Sequence, residues 1–538
     1  MQLNIFQRFF GWGTRKPDAA IDQQREMAAR YEGGYSNTIY AQSYTGEKNQ
    51  GELGPAMKYY LDYDYLRTKS WQLYLDSELC QLLFRRMNTW VVGNGLKLRA
   101  EPSMDILEGE GAQDLNRQRF KDIVESRFDI YGKDTIADYS DMVGLQELAE
   151  QAEINAMVGG DVLVVLRLID GVPKVQLIDG ANVCTPMSFS FSPNGWATAE
   201  NGNRVRHGVE VNARGQHVAF HVKTDLLTWE RIPARGEKSG QLMAWLYYGL
   251  KYRLDNIRGL PLIAAIMETS SKLERYKEAA VGSAEERAKI SLVIEHSPAS
   301  DGSNPLGDKA AKLAKAMGQT LTPTTIDGKQ LAEYVAATTN KQAVNLPIGA
   351  KMNTVDSKNE LYFSDFYGIN MMIVCATVGI PKDVAMMLYG ESYSASRAAI
   401  KDWEHSIDVR RQKTSNHFYK PIYNLWLDVQ VLSNKVPAPN YLNILSKKDP
   451  IAIGAYKNCR FVGASVPHID PVKEVEAVRL KLGSAADHVP LMTLEDAAES
   501  LDAGNEWDTL ERFGKEMEEA RKNGIIPPEK PVADKGKK

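Results

Sequence analysis

The chain has 538 residues, with 65 Lys+Arg against 69 Asp+Glu and a formal net charge of −4, which excludes a strongly basic nucleic-acid binder. Hydrophobic residues make up 43% and charged residues 25%, close to the globular average, which excludes wholesale disorder and a membrane protein. At roughly 100–200 residues per domain, the length holds about three to five domains or one elaborate assembly.

The N-terminal MQLNIFQRFFGWGTRK lacks the apolar core and small-residue cleavage site of a secretion signal, and residues 1–55 read as a polar, extended arm. Helical spacing follows from Tyr59 to Trp90, with Trp71, Leu75, Leu79 and Leu82 on one stripe. The chain then passes through Gly93-Asn94-Gly95, read as a hairpin turn, into a strand-like LKLRA. Phe120–Phe128 and Leu145–Val158 read as two more helices. The period then changes to two: Val162–Ile169, a turn at Asp170-Gly171 and Val172–Ile178 spell a hairpin. A second hairpin runs through His207–Val211, a turn at Asn212–Gly215 and Gln216–Val222.

From Pro261 to about Lys289 a helix is expected, followed by a strand at Ser291–Glu295, a Gly/Ser/Pro/Asp-rich loop, a short basic helix and an extended return near Leu346–Val355. A second helix spans about Glu360–Val378 and is stopped by Gly379-Ile380-Pro381. After a loop at Met386–Ser396, in which Ser394 or Ser396 can cap, a very long helix runs to Leu432. Such a rod, on the order of 50 Å long, argues for an assembly. Trp403, Phe418, Ile422, Leu425, Trp426 and Val429 read as its packing face. Near the C-terminus, Val475, Val478 and Leu482, then Leu494, Ala498 and Leu501, recur at helical spacing. The sum is an α+β chain.

Enzyme motifs fail on their details. Gly302 to Gly307 has the outer spacing of a phosphate loop, but Asp308 stands where lysine is needed and would repel phosphate. Gly93-Asn94-Gly95 lacks the third glycine and the following helix of a dinucleotide site. His217 and His221 fall on one strand face without a third ligand nearby, so they read as sheet-surface histidines and no metal is assigned. Cys80, Cys184, Cys375 and Cys459 lie far apart, without the pairing of a zinc or redox site, and fit a reducing compartment. The longest apolar run, Ile369–Gly379, is interrupted by Asn370 and is far short of the ~20 residues that span a bilayer. No catalytic residue, metal or cofactor is assigned.

Seven segments in order carry a resemblance: RRMNTWVVGNGLKLRA, GGDVLVVLRL, HGVEVNARGQHVAFHV, IRGLPLIAAIMETSSKLERYKEA, NLPIGAKM, FSDFYGINMMIVCATVGIPKDVAMMLYGESYSASRAAIKDWEHS and VPHIDPVKEVEAVRLKLG. Over about residues 59–483 the chain resembles the lambda-type family of bacteriophage portal proteins. The resemblance implies a portal-type subunit with a mixed α/β wing, long stem helices, a small α/β clip and a helical crown, assembling into a ring, usually of twelve. It implies that double-stranded DNA passes through the ring at one capsid vertex. The implied partners are further copies, the terminase large subunit, the major capsid protein and head-tail connector or adaptor proteins, with no membrane. The implied locations are the virion and, during assembly, the host bacterial cytoplasm.

On that resemblance residues 56–258 are the wing, 259–290 and 357–381 the stem helices, and 291–356 the clip. Residues 382–396 are the tunnel loop, 397–470 the long helix and return to the wing, 471–523 the crown and 524–538 a tail. Lys382, Tyr389, Tyr393, Arg397 and Lys401 are then the candidate DNA-channel residues. Arg397 and Lys401 can equally pair with Glu404 or Asp408 along the helix. Lys309, Lys312 and Lys315 form a one-sided basic face, either a solvated helix or a dock for terminase and connector. Two rivals stand beside the portal reading. One is another ring or adaptor of the particle; the other is a nucleic-acid enzyme, which needs a carboxylate cluster or phosphate loop.

Overall fold

The computed structural model describes residues 63–191, 196–225, 227–251, 254, 256–294, 342–345, 363–387, 393–464, 471–483, 491–501 and 506–523. They divide into two compact units, one drawing on Leu75–Cys80 and Ala265–Val378, the other on the remaining described chain. The α+β reading holds: helices alternate with mostly antiparallel sheets.

The predicted helix at Tyr59–Trp90 is two helices, α1 (Tyr63–Asp76) and α2 (Glu78–Val91). Ser77 breaks it. Its Oγ accepts from the Cys80 N–H (3.3 Å) and donates to Glu274 Oε1 (2.8 Å), so the buried hydroxyl starts a new helix. The predicted stripe shifts accordingly, since Leu75 is 65% exposed while Leu66 and Tyr74 on α1 and Leu79, Leu83 and Phe84 on α2 are buried. The Gly93–Gly95 turn makes no hairpin. It is the exit of α2, with Gly93 and Gly95 at φ of 52° and 85°, and β1 (Lys97–Ala100) pairs instead with a strand at the far end of the fold.

After a short α3 (Met104–Gly109), α4 (Arg117–Lys133) begins where the Asn116 side chain accepts from the Arg119 N–H. Helix α5 (Leu145–Ile154) runs into a π-helical turn, Asn155–Gly159. The predicted hairpin follows as β2 (Asp161–Ile169) and β3 (Val172–Asp179), closed by Asp170 and Gly171 at φ of 50° and 74°. Both residues at positive φ match the twist of the strands, which is why Asp-Gly suits this turn. Strands β4 (Ser190–Phe191), β5 (Ala197–Thr198), β6 (Arg204–Arg206), β7 (Val209–Val211), β8 (His217–Asp225) and β9 (Thr228–Pro233) form a six-stranded antiparallel meander. Strand β10 (Ala244–Tyr248) joins β2 to complete a three-stranded sheet in the order β10-β2-β3. Leu163 and Val165 of β2 and Ala244 and Leu246 of β10 pack on Val209, Phe220, Val222 and Ile232 of the meander, forming one core between the two sheets.

In the other unit α6 (Met267–Lys289) packs on α7 (Phe363–Val378) through buried Leu273, Met371, Val374 and Cys375, with Tyr276 edge-on to Phe366 at 4.9 Å. Strand β11 (Ile290–Ile294) pairs in parallel with β12 (Gln342–Asn345). The extended return expected near Leu346–Val355 lies outside the described residues. Gly379 leaves α7 at φ 83°, as its stop signal predicts.

A short α8 (Lys382–Met386) precedes α9 (Tyr393–Thr414), a π-helical turn at Ser415–Tyr419 and α10 (Lys420–Leu432). Together these three make the long helix, roughly 60 Å at about 1.5 Å per residue. It begins at Tyr393, so Ser394 and Ser396 lie inside its first turn and neither is the cap. Trp403, Phe418, Ile422 and Trp426 are buried as expected, and Leu425 and Val429 are half-buried. Helices α11 (Tyr441–Lys447) and α12 (Pro450–Tyr456) lead to β13 (Cys459–Val462), the partner of β1. Phe128, Tyr419, Tyr423, Trp426 and Phe461 stack into one aromatic cluster beneath that pair. Three further helices follow, α13 (Pro471–Leu482), α14 (Leu494–Ser500) and α15 (Glu506–Lys522), of which the first two bear the predicted C-terminal stripe. It is buried only in part: Val478 is 9% exposed, but Val475 and Leu494 are 49% and 45%.

One charged site organises the sheet body. Asp161 opens β2 with no exposure, and Arg258 grips it through Nε–Oδ2 (2.6 Å) and Nη2–Oδ1 (2.5 Å). Arg67 of α1 adds Nη2–Oδ1 (2.5 Å), and the Gly259 N–H donates to Oδ2 (3.0 Å). Burial alone pushes the Asp161 carboxyl up, but Arg258 and then Arg67 outweigh it and bring it below its ordinary value. The spare Arg258 donors reach the carbonyls of Val183 (2.8 Å), His207 (3.0 Å) and Gly180 (2.7 Å). Gly160 is at φ 99°, and a Cβ there would stand 2.8 Å from the Gly259 oxygen, so this crossing of chains requires glycine. Removing one partner leaves a buried charge short of its counterion. Arg258→Ala is expected to lower stability by about 3–5 kcal/mol, read as an earlier urea midpoint. Arg258→Lys, which keeps the charge but loses the fork, is expected to fall between it and wild type.

Candidate functional site

The residues singled out for DNA contact fall around α8 and the start of α9. Lys382 is the first residue of α8 and is half-buried. Tyr393 is the first residue of α9, and Arg397 and Lys401 follow at intervals of four, so all three positions fall on one side of that helix. Lys401 is exposed and donates to Glu404 at 2.8 Å, so of its two readings the ion pair along the helix is the one observed. At that exposure the pair contributes little, and it leaves the ammonium open to a competing anion. Asp408 faces Arg411 at 3.9 Å. Tyr389, Lys309, Lys312 and Lys315 lie outside the described residues.

The two histidines of β8 do not form a site. The register of β8 shifts against β7, with Glu210 opposite Ala219 but Val211 opposite His217, so Val218 is an extra residue in the strand. The bulge separates the pair. His217 packs on Phe220 (5.9 Å), while His221 is 4% exposed between Phe189 (5.1 Å) and Glu210 (3.4 Å). His221 is therefore buried and not a sheet-surface residue. Glu210 is itself fully buried and accepts from Arg231, Asn201 and Asn203; burial pushes its carboxyl up, but these donors carry it down to about 2. Beside them a cavity of about 520 Å³ is lined by Phe189, Asn201, His221, Trp229 and Arg231. Among the described residues no group of three or more His, Cys, Asp or Glu is placed to hold a metal ion. No described helix is long and apolar enough to cross a membrane. The four cysteines are free thiols.

The sequence reading passed over the basic residues that converge near the two π-helical turns. Lys413 of α9 donates to the Gly249 carbonyl, and the Trp245 indole N–H donates to the His417 carbonyl at 2.7 Å. The Tyr247 hydroxyl bonds Glu153 and lies 3.1 Å from Thr414 Oγ1. The signal was in the sequence as Lys251, Arg410, Lys413 and His417, but nothing local says that segments about 160 residues apart meet.

Burial holds histidines neutral in the sheet body. His217 is brought down from 6.5 to about 4 by burial and then by Lys251 and Arg258. His207, at φ 49° and edge-on to Tyr63 at 4.6 Å, is brought down to about 3 by burial and then by Arg206 and Arg258. Between these values and 6.5 the unfolded chain binds more protons than the folded one, so stability falls as pH falls through that window. Urea midpoints are expected to decline from about pH 6.5 to pH 4 and to be flat above pH 7 as far as these groups are concerned. The double variant His207→Asn, His217→Gln is expected to show a shallower decline; an unchanged slope would remove these two residues as its cause.

Residues 45–411 match the family model described as phage portal protein, lambda family. No protein of curated function matches the chain. Among solved structures, a chain from the virion of a native gene transfer agent (GTA) particle aligns over 77% of this chain and 97% of its own length, at 11% identity and a TM-score of 0.39. The family match covers well over half of the sequence, and the chain belongs to the lambda family of phage portal proteins, which are structural proteins and not enzymes.

Proposed function

We propose that copies of this chain close into a ring at one capsid vertex, the channel through which double-stranded DNA is packaged and later ejected. The observation that carries this reading is the family match over residues 45–411. A second observation supports self-association. On α7, beyond Phe366, which meets Tyr276 of α6 edge-on, Ile369, Met372 and Ile373 are 52–59% exposed at a spacing of three and four, an apolar stripe. Such a contiguous face on a soluble chain calls for a partner surface.

Within this reading residues 56–258 form the wing and 259–290 and 357–381 the stem. Residues 291–356 form the clip, which meets terminase and then connector proteins, 382–396 the tunnel loop, 397–470 its supporting helix with the return to the wing, and 471–523 the crown. Twelve copies at −4 each carry −48, which repels a polyanion overall. That suits a conduit. A duplex bears one charge per ~1.7 Å, and each neutralising Lys or Arg adds salt-dependent affinity that must be broken at every step. A few cations near α8 and α9, Lys382, Arg397 and Lys401, with Tyr389 and Tyr393, centre the duplex without gripping it. Lys309, Lys312 and Lys315 dock acidic terminase or connector surfaces.

Two experiments test the reading. Lys382→Ala with Arg397→Ala is expected to reduce DNA packaging or retention while assembly survives; full packaging would discard the channel assignment. Ile369→Glu with Met372→Glu is expected to leave a soluble, folded chain that no longer forms the wild-type oligomer in native mass spectrometry, and an unchanged oligomer would discard that face as the seam.

A further inference from the structure

The end of β10, the chain just after it and the π-helical turn at Ser415–Tyr419 bring cations together around one aromatic ring. The Lys251 ammonium lies 4.5 Å from the Tyr248 ring centroid and the Lys413 ammonium 4.8 Å from it, with the His417 ring at 6.2 Å. Arg410 sits one turn before Lys413 on the same helix. Among the described residues the carboxylate sensed by Lys413 is Glu153, which is 6% exposed and already bonded to the Tyr247 hydroxyl. Asp161, the next acid sensed by Lys251, is held by Arg67 and Arg258.

Two ammonium groups on one ring repel each other, and among the described residues the carboxylate beside Lys413, Glu153, is already engaged by the Tyr247 hydroxyl. Burial, then Arg410 and Lys251 working against Glu153, brings the Lys413 amine down to about 8. Lysine 251 makes no hydrogen bond among the described residues beyond its ring contact, and Lys413 spends one of its three donors on the Gly249 carbonyl. Both side chains are half-buried and His417 is exposed, so the cluster is reachable from solvent. The π-helical turn presents His417 here and turns its carbonyl to Trp245.

We propose that Lys251, Lys413 and Tyr248 form a sequence-independent contact for the backbone phosphates of duplex DNA, separate from Lys382, Tyr393, Arg397 and Lys401. The inference rests on the reading of the chain as a DNA conduit. One feature favours a phosphodiester over a carboxylate of a second copy. Fixed protein carboxylates are held best by the planar, two-pronged arginine fork, whereas lysine acts as a point charge that accepts a phosphate in many orientations. The tyrosine ring between the two stems holds them apart without offering a base-reading edge.

The test is fluorescence anisotropy of a labelled duplex of mixed sequence with the full-length assembled protein, at several salt concentrations. Lys251→Gln with Lys413→Gln is expected to weaken binding about tenfold at low salt and to make the salt dependence shallower by about one log unit per lost contact. Lys251→Arg with Lys413→Arg is expected to restore most of it. Lys251→Gln alone, at a residue with no hydrogen bond among the described residues, guards against a folding defect and is expected to give a smaller loss of the same sign. Unchanged affinity and salt slope in the double Gln variant would overturn the phosphate site and leave the ring reading untouched. A variant that changes the oligomer but not duplex binding would also overturn it, assigning the cluster to a contact between copies. Wild-type protein that binds duplex through these lysines yet never forms a ring would keep the site and sink the conduit reading.

Discussion

A carboxylate with no exposure survives in a protein only when its charge is met on all sides, and the sheet body is arranged so that Asp161 is met by Arg258, Arg67 and the Gly259 N–H. The consequence reaches beyond one ion pair. Arg258 also takes the carbonyls of Gly180, Val183 and His207, so the start of β2, the end of β3, the edge of the meander and the entry to the next segment share one guanidinium. Because Gly160 and Gly259 pass without side chains, the crossing is as close as backbone allows. The interface between the two sheets, from Leu163 to Leu246, is the apolar counterpart of this polar fixture.

Much of the local structure was legible. Asp170-Gly171 announced its hairpin because both residues tolerate positive φ, and the stop at Gly379 announced the end of α7. The buried face of the long helix was readable from Trp403, Phe418, Ile422 and Trp426 at helical spacing. What escaped was decided by distant partners. Ser77 looks like one more residue in a helical run, and only the carboxylate of Glu274 makes it a helix start. The GLKLRA strand has no neighbour in sequence, since its partner Cys459–Val462 lies more than 350 residues away. The bulge at Val218 could not be read from alternation, and it undid the shared face of His217 and His221.

The candidate site was legible only in part. Lys401 could be placed on a helix, and its pairing with Glu404 was one of two readings left open. The segments GGDVLVVLRL and IRGLPLIAA carry part of the resemblance, but that their Asp161 and Arg258 meet is a fact of three dimensions. The Lys251, Lys413 and Tyr248 cluster carries no local signature at all, because each residue is ordinary in its own segment.

One feature of the chain is incomplete by itself: the stripe of Ile369, Met372 and Ile373 on α7 stays open to water. In the proposed reading other copies cover it, and the net negative charge they share lets a polyanion slip past a few local cations. Negative-stain imaging of the purified full-length chain tests this most directly. The account predicts closed rings of uniform copy number around a stain-filled hole wide enough for duplex DNA; compact particles without a passage, in solution and in assembled virions alike, would contradict it.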